Sequence, residues 1–451
     1  MKFLISDAAT TRGGDRKSIM VNDVSRAFFE APIERLVCIE LPEEAIREGE
    51  EGMVGLLAKS LYGTRDAAAN FQKEVKIFLV THGFTPGVYS PITYYHSSMR
   101  IRVLVHGDDF VSSGESSSLK WFKKKLEDRF EIKTTVIGLK EEEELETRIL
   151  NRIIRVGEAG WEYEPDQRHA ELIVRGLGLE KANGVTTLKE DDKAWVEEEE
   201  AQLLDANKQR EYRRLVARAN YLAADRGDIQ YSVKELCRSM SCATRGCWRR
   251  LKRLGRYLIT APRVVTSFRW QDETLTIDAY SDSDWAGCRN TCRSTSGGVI
   301  MRGAHLLKSW SITQKAVSLS SGEAELIVMV KASTEVLGLF QMMKEWGIAA
   351  EGSVYVDSSA ALGVVGRRGC GKLRHVRVGN LWVQEKRENG ELKYQKIAGS
   401  VNPADLMTKL VTACLRQRHV TTMGLDLREG RASSHCRSER PAVNALKILK
   451  F

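Results

Sequence analysis

Four carboxylates in the last third of the chain, Asp282, Glu325, Asp357 and Asp405, stand where acids can serve a metal ion. Asp282 ends the run LTIDAYSD (275–282), in which Leu275, Ile277 and Ala279 alternate with polar residues as on a half-buried strand. Asp357 ends a second short strand-like run, SVYVD (353–357), while Glu325 lies near the start of a long helical pattern. Asp405 lies in the first turn of another helix. Strand ends and helix starts can converge on one edge of a sheet. Four acids gathered there repel one another unless divalent cations neutralise them. Two cations held roughly 3.5–4 Å apart activate a water and stabilise the leaving oxygen in phosphodiester hydrolysis. The expected cofactor is Mg²⁺, two ions per site, with Mn²⁺ as a substitute.

Each acid has a competing structural role. Ser320 followed by Glu323 reads as a capping box, the serine as N-cap and the glutamate reaching back to its amide. Glu325 instead borders the apolar series Ala324, Val328, Ala332, Val336 and Leu339, so the metal role falls to Glu325, with Glu323 as the substitute. Asn402 is suited to cap a helix with Pro403 at its first position, and an acid at Asp405 then favours the helix dipole. Taken singly, Asp405 reads as a capping residue. Asp284 reads as a turn residue before an outer ligand.

A second set of acids occurs early. Asp23 precedes Ala27, Phe28 and Phe29, and Asp108 and Asp109 sit in VLVHGDDFV between β-branched and aromatic residues. Acids in a tight turn between buried strands are costly unless they meet a cation or donors. A solvated hairpin accounts for HGDD equally well. With Asp23 on a neighbouring strand, the three could bind two Mg²⁺ ions for nucleotidyl transfer.

The elements that must position these acids fall into parts. The first, 1–135, is mixed: an opening helix, a helix on which Phe71, Val75, Phe78 and Leu79 recur, and a strand with Ile101, Val103 and Val105 alternating. The second, 136–268, carries the acidic stretch KEDDKAWVEEEEAQ (189–202), read as a solvated linker, and then a basic helical region. The third, 270–412, alternates strands with helices. A basic tail, 413–451, includes REGRASSHCRSERP and is expected to be poorly ordered at its end. With 451 residues, 42% hydrophobic and 29% charged, the chain can bury two or three cores. Its net charge of +9 favours a polyanionic partner. No run reaches the roughly 18–20 uninterrupted apolar residues of a membrane span, and the start does not read as a signal peptide. Nine thinly spread cysteines point to free thiols in a reducing compartment, cytoplasmic or nuclear.

VNDVSRAFFEAPIERLVCIELPEE, LAKSLYGTRDAAANF and VHGDDFVSSG resemble, in that order, the catalytic motifs of copia-type retrotransposon reverse transcriptases. The likeness continues through EYRRLVARANYLAADRGDIQYSVKELCRSMS and WRRLKRLGRYL. It then covers AYSDSDWAGCRNTCRSTSGG, SLSSGEAELIVM, VYVDSSAAL, LRHVRV and NPADLMTK, the ribonuclease H portion. The resemblance implies a reverse-transcriptase palm, a helical thumb or connector and a ribonuclease H-like mixed sheet with flanking helices, so α/β and α+β parts together. It makes Asp23, Asp108 and Asp109 polymerase metal ligands, and it tips Asp405 toward the metal set with Asp282, Glu325 and Asp357. His375, in KLRHVRV, matches a family histidine and is read as a hydrogen-bonding residue. The sequence also departs from the family. His106 and Gly107 replace an aromatic and an apolar residue, Asp66 replaces a glutamine, and Ala68 a proline. The chain starts shortly before Asp23, so the basic fingers are expected to be missing and polymerase activity of the chain alone is in doubt.

Arg249, Arg250, Lys252, Arg253 and Arg256 surround one helix whose other side carries Trp248, Leu251, Leu254 and Leu258. They read as a clamp on nucleic acid backbone, and Arg367 and Arg368 in GVVGRRGCG (363–371) as a lesser contact. The expected substrate is an RNA–DNA hybrid, recognised by shape, phosphates and 2′-hydroxyls, with other Pol segments as further partners. The alternative is a catalytically inactive, nucleic-acid-binding relic of a retroelement.

Overall fold

The computed structural model describes residues 1–11, 16–49, 52–190, 197–288 and 290–432. Strands Ser18–Val24 (β1), Thr85–Pro86 (β2), Thr93–His96 (β3), Ile101–His106 (β4), Asp109–Gly114 (β5) and Ile132–Ile137 (β6) form an antiparallel sheet in the order β2-β3-β4-β5-β1-β6. Successive side chains leave a strand on opposite faces, and the sequence uses both. Met20, Val103 and Phe110 pack against Phe71, Val75 and Phe78 of helix Ala67–Thr81 (α2) and Phe122 of helix Ser116–Glu127 (α3). Ile19 and Val111 turn the other way, onto Leu4, Ile5 and Ala8 of the opening helix Lys2–Ala8 (α1).

The second part is not only the helical connector expected. Strands Glu146–Ile149 (β7), Arg152–Gly157 (β8), Gly160–Glu164 (β9) and Arg263–Arg269 (β10) make an antiparallel sheet that packs Ile154, Trp161 and Phe268 on the far side of α1. Beside it Arg168–Gly176 (α4), Ala206–Ala223 (α5), Gln230–Cys237 (α6) and Arg245–Thr260 (α7) share a separate core around Tyr212, Leu215, Leu251 and Leu254.

In the third part, Thr276–Ser283 (β11), Thr295–Arg302 (β12), His305–Thr313 (β13), Glu351–Val356 (β14) and Lys393–Lys396 (β15) form a mixed sheet in the order β13-β12-β11-β14-β15. β11 is antiparallel to β12 and parallel to β14. Ile277, Ala279, Val354 and Val356 face helix Ser321–Glu345 (α8), which buries Leu326, Met329, Ala332 and Val336 on them. Helices Ser359–Val365 (α9) and Trp382–Glu388 (α10) flank the same core. α8 is long and apolar enough by composition to cross a membrane, although polar residues interrupt its apolar run. Here those apolar side chains are the core of the sheet domain.

The tail boundary at 413 is also corrected. Ala413–Thr422 (α11) is helical, and Leu425–Arg428 (β16) pairs with β10 to close the second sheet as β7-β8-β9-β10-β16. Of REGRASSHCRSERP, the part after residue 432 lies outside the described residues, as do residues 191–196 of the acidic stretch.

α1 ties the parts together. The Phe3 ring lies 4.8 Å from that of Trp346 at the end of α8, the two planes tilted by 39°. Asp7 is buried with Lys17 at 2.7 Å, Arg102 of β4 at 2.9 Å and Arg302 of β12 at 4.0 Å. Burial alone would raise this carboxyl, but Arg102, Lys17 and Arg302 hold it below the ordinary range. Nearby, His305 is fully buried. Its Nε2–H donates to the Arg269 carbonyl at 2.7 Å, and its Nδ1 accepts from the Ser6 hydroxyl at 2.9 Å and the Gln271 amide at 3.2 Å. That pattern needs a neutral ring, and burial pushes the imidazole down to about 4.

Two outcomes are expected for stability. Asp7→Ala removes the buried carboxylate shared by Lys17, Arg102 and Arg302 and should cost about 3–5 kcal/mol in denaturant unfolding; a loss under about 1 kcal/mol contradicts the hub role. For His305, a folded value below the unfolded one means that the unfolded chain binds the extra proton. Its contribution is therefore present above about pH 6.5 and is lost as pH falls toward 4, by up to about 3 kcal/mol. Comparing unfolding of wild type with His305→Gln between pH 7 and 4 should show a flatter pH dependence in the variant.

Candidate metal centre and nucleic-acid interface

Asp282 reaches the sheet edge because β11 runs on beyond the core residue Ala279. Asp357 follows the last residue of β14, the parallel neighbour. α8 crosses the sheet and starts beside both strand ends. Ser320 caps it, its Oγ accepting from the Glu323 amide at 3.2 Å. The Glu323 carboxylate reaches back to the amide of Leu319, at 2.7 Å, rather than to that of Ser320. It also accepts from His375 Nε2 at 3.2 Å. Glu323 is thereby committed to cap and histidine, and Glu325 is left for the site.

The result is a group in which Asp282, Glu325 and Asp357 each offer a carboxylate oxygen, all within 4.8 Å of one another. Glu325 Oε1 accepts from the Ser283 amide at 3.0 Å, whereas its buried Oε2 has no hydrogen-bond partner. Burial, then Asp282 and Asp357, push the Glu325 carboxyl up to about 9. Asp282 rises to about 6, through burial first and then Asp405 and Asp357, against the pull of a hydrogen bond from the Thr408 hydroxyl. A buried, crowded, partly unsatisfied oxygen set of this kind fits a hard divalent cation.

Asp405 does not join that group. The Asn402 side chain accepts from the Ala404 amide at 3.1 Å and donates to the Ser281 carbonyl at 2.9 Å, so the short turn Pro403–Met407 is pinned to β11. The turn can lie this close because β12 carries Gly297, where a Cβ would stand 2.6 Å from Met407 and Thr408. Asp405 then pairs with Lys409 at 2.9 Å, four residues on. Burial would lower the Lys409 ammonium, but Asp282, Asp405 and Asp357 raise it. Sequence reasoning passed over both Thr408 and Lys409, although the four-residue spacing from Asp405 to Lys409 was readable. Asp284 accepts from the Thr295 amide at 2.5 Å, as a turn residue does.

The early acids are neighbours without forming such a group among the described residues. Asp23 of β1 stands directly opposite Asp109 of β5, and Asp108 occupies the β4–β5 turn. Burial, then Asp108 and Asp23, push Asp109 upward. Asp66, in place of the family glutamine, is paired with Arg35 at 3.1 Å, which helps hold its carboxyl below the ordinary range against partial desolvation.

The basic helix α7 is not the open clamp expected. Arg249, Arg253 and Arg256 fall at spacings of four and three, hence on one stripe, and the segment before the acidic stretch lies along it. Arg249 pairs with Glu190 and Glu200. Arg253 donates to the carbonyls of Thr187 at 3.1 Å and Lys189 at 2.7 Å, and Arg256 to that of Asn183 at 2.7 Å. Arg250 and Lys252 are exposed, and Arg250 bonds Cys247 Sγ at 3.5 Å. The acidic stretch therefore neutralises part of the helix. In the glycine-rich loop, Arg367 donates to the Cys370 carbonyl at 2.9 Å and Arg368 pairs with Glu388.

Comparison with known proteins agrees with this architecture. Residues 8–142 match the family described as reverse transcriptase (RNA-dependent DNA polymerase). The chain is 26% identical over 408 residues to the retrovirus-related Pol polyprotein from transposon RE1 of Arabidopsis thaliana, covering 89% of this chain and 27% of that one. It is 25% identical over 408 residues to the Pol polyprotein from transposon TNT 1-94 of Nicotiana tabacum, covering 86% and 29%. The chain thus spans little more than a quarter of these relatives. The foamy viral protease-reverse transcriptase, solved in complex with an RNA/DNA hybrid, superposes with a TM-score of 0.50 at 13% identity, over 88% of this chain and 45% of that one. That likeness concerns the fold. With the motifs in order along the sequence, these likenesses support a copia-type retrotransposon Pol fragment that carries a reverse transcriptase segment.

Proposed function

We propose that this chain hydrolyses the RNA strand of RNA–DNA hybrids in the presence of Mg²⁺. The observation that carries the reading is the meeting of Asp282, Glu325 and Asp357 at one end of the mixed sheet, within 4.8 Å of one another. When bound there, divalent ions supply an activated water and stabilise the departing oxygen. The protein's own part is to hold the oxygens that receive them. Asp282 and Asp357 come from adjacent parallel strands, the Ser283 amide fixes one oxygen of Glu325, and Thr408 orients Asp282. Asp405 borders the site, and the Lys409 ammonium paired with it offsets part of the negative charge. Glu323 holds His375 at the rim, as a satisfied histidine rather than a base.

The hybrid itself is proposed from the family likeness and from the charge of +9, with Arg250 and Lys252 among the exposed basic residues of that helix that would meet a phosphate backbone. Further Pol segments are proposed partners. The free thiols of the described cysteines support residence in the cytoplasm or nucleus. RNA-directed DNA synthesis is proposed to be weak in this chain alone, because Asp23, Asp108 and Asp109 are not gathered as the nuclease acids are and Asp66 is engaged by Arg35.

Cleavage of a labelled hybrid with Mg²⁺ should be abolished by Asp282→Asn and reduced by about 10²-fold or more by Glu325→Gln, on the scale of losing a pre-organised charge in a reacting site. Wild type and Asp282→Asn equally inert, yet both binding duplex, would establish the relic alternative instead. Primer extension on an RNA template should not exceed that of Asp109→Asn; robust synthesis by the unmodified chain overturns the polymerase reading.

A further inference from the structure

Helix α6 belongs to the second part, yet it leans on β13, the start of β12 and the loop before it, beside the proposed metal centre. The Gln230 amide donates to the Ser309 carbonyl at 3.4 Å, Lys234 Nζ donates to Thr295 Oγ1 at 2.7 Å, and Arg238, just past the helix, donates to Thr291 Oγ1 at 3.3 Å. Spacings of four residues put all three on one face. Lys234 is the anchor. Its side chain is only 12% exposed, it pairs with Glu235, and it lies 4.6 Å from the Tyr231 ring. A cation withdrawn this far from water is costly unless its partners are well placed.

Thr295, the first residue of β12, is a junction between that anchor and the metal centre. Its amide donates to Asp284, and its carbonyl accepts from the Ser283 hydroxyl at 2.9 Å. The Ser283 amide in turn donates to Glu325 Oε1 at 3.0 Å. A continuous path therefore runs Lys234–Thr295–Ser283–Glu325, from the connector helix to a half-satisfied carboxylate of the site. Because Oε1 is held, Oε2 is the oxygen left without a partner.

We propose that Lys234 is a positioning residue for the metal centre: by fixing Thr295 and hence Ser283, it sets Glu325 so that Oε2 faces an incoming ion. The ribonuclease H-like part would then be incomplete without the connector, and docking of α6 would set metal affinity. The inference rests on the proposed metal centre, whose chemistry it does not otherwise alter. Partners that orient a ligand from behind typically contribute about 10–100-fold in metal affinity or activity.

The test is direct binding of Mn²⁺ to the full chain by electron paramagnetic resonance, alongside hybrid cleavage. Lys234→Met and Thr295→Val should each weaken Mn²⁺ binding by on the order of tenfold. The double variant should bind no more weakly than either single one, and Lys234→Arg should retain most of the affinity. Thermal unfolding in EDTA checks the fold of each; should Lys234→Met unfold, the near-isosteric Thr295→Val decides. Wild-type affinity in the single variants, losses that multiply in the double one, or a wild type that binds no Mn²⁺ overturns the proposal. Binding that depends on Lys234 in a chain that never cleaves hybrid sinks the nuclease reading alone.

Discussion

Crowding negative charge at a buried sheet edge is the constraint around which the third part is organised. With burial and mutual repulsion raising Glu325 to about 9 and Asp282 to about 6, the carboxylates would separate if their carriers were free to move. They are not. β11 and β14 are central strands of the sheet, α8 is held on them by its apolar face, and Asn402 pins the turn bearing Asp405. Rigid carriers convert an unfavourable local arrangement into a site in which a cation would relieve the repulsion. Lys409 performs a weaker version of the same service from the rim, since one ammonium cannot satisfy several carboxylates.

The same electrostatics accounts for the basic helix. An arginine stripe with nothing beside it favours any acidic partner, and the fold brings the chain's own stretch around Glu190 and Glu200 against it. Their pairing with Arg249, and the carbonyls offered to Arg253 and Arg256, leave a smaller basic surface than the count of positive residues suggests. Net charge is a sound guide to the class of partner. It is a poor guide to which side chains remain free to meet it.

The parts are not beads on a string. α1 inserts between two sheets and touches the third core through Phe3, while Asp7 gathers cations from β4, β12 and the segment before β1. A buried acid with three cations specifies one relative arrangement, since any other leaves charges unpaired in a low-dielectric interior. The Lys234 path extends the same logic to the acidic cluster, where a second-part helix reaches a third-part carboxylate through Thr295 and Ser283.

Much of this was legible in the sequence because it rests on local periodicity. Alternation in LTIDAYSD, the apolar series from Ala324 to Val336, and the Ser320–Glu323 box identified strand, helix and cap, and so separated Glu323 from Glu325. The motif order likewise identified the family. Other features depend on residues that only meet in three dimensions. That Asp405 pairs with Lys409, that Glu190 covers Arg249, that β16 completes the second sheet from beyond residue 413, and that Lys234 reaches Thr295 were decided by tertiary packing. The physical reason is one of range: backbone periodicity repeats within a few residues and is written in the chain, whereas a charge chooses its partner from whatever the finished fold brings within a few ångströms.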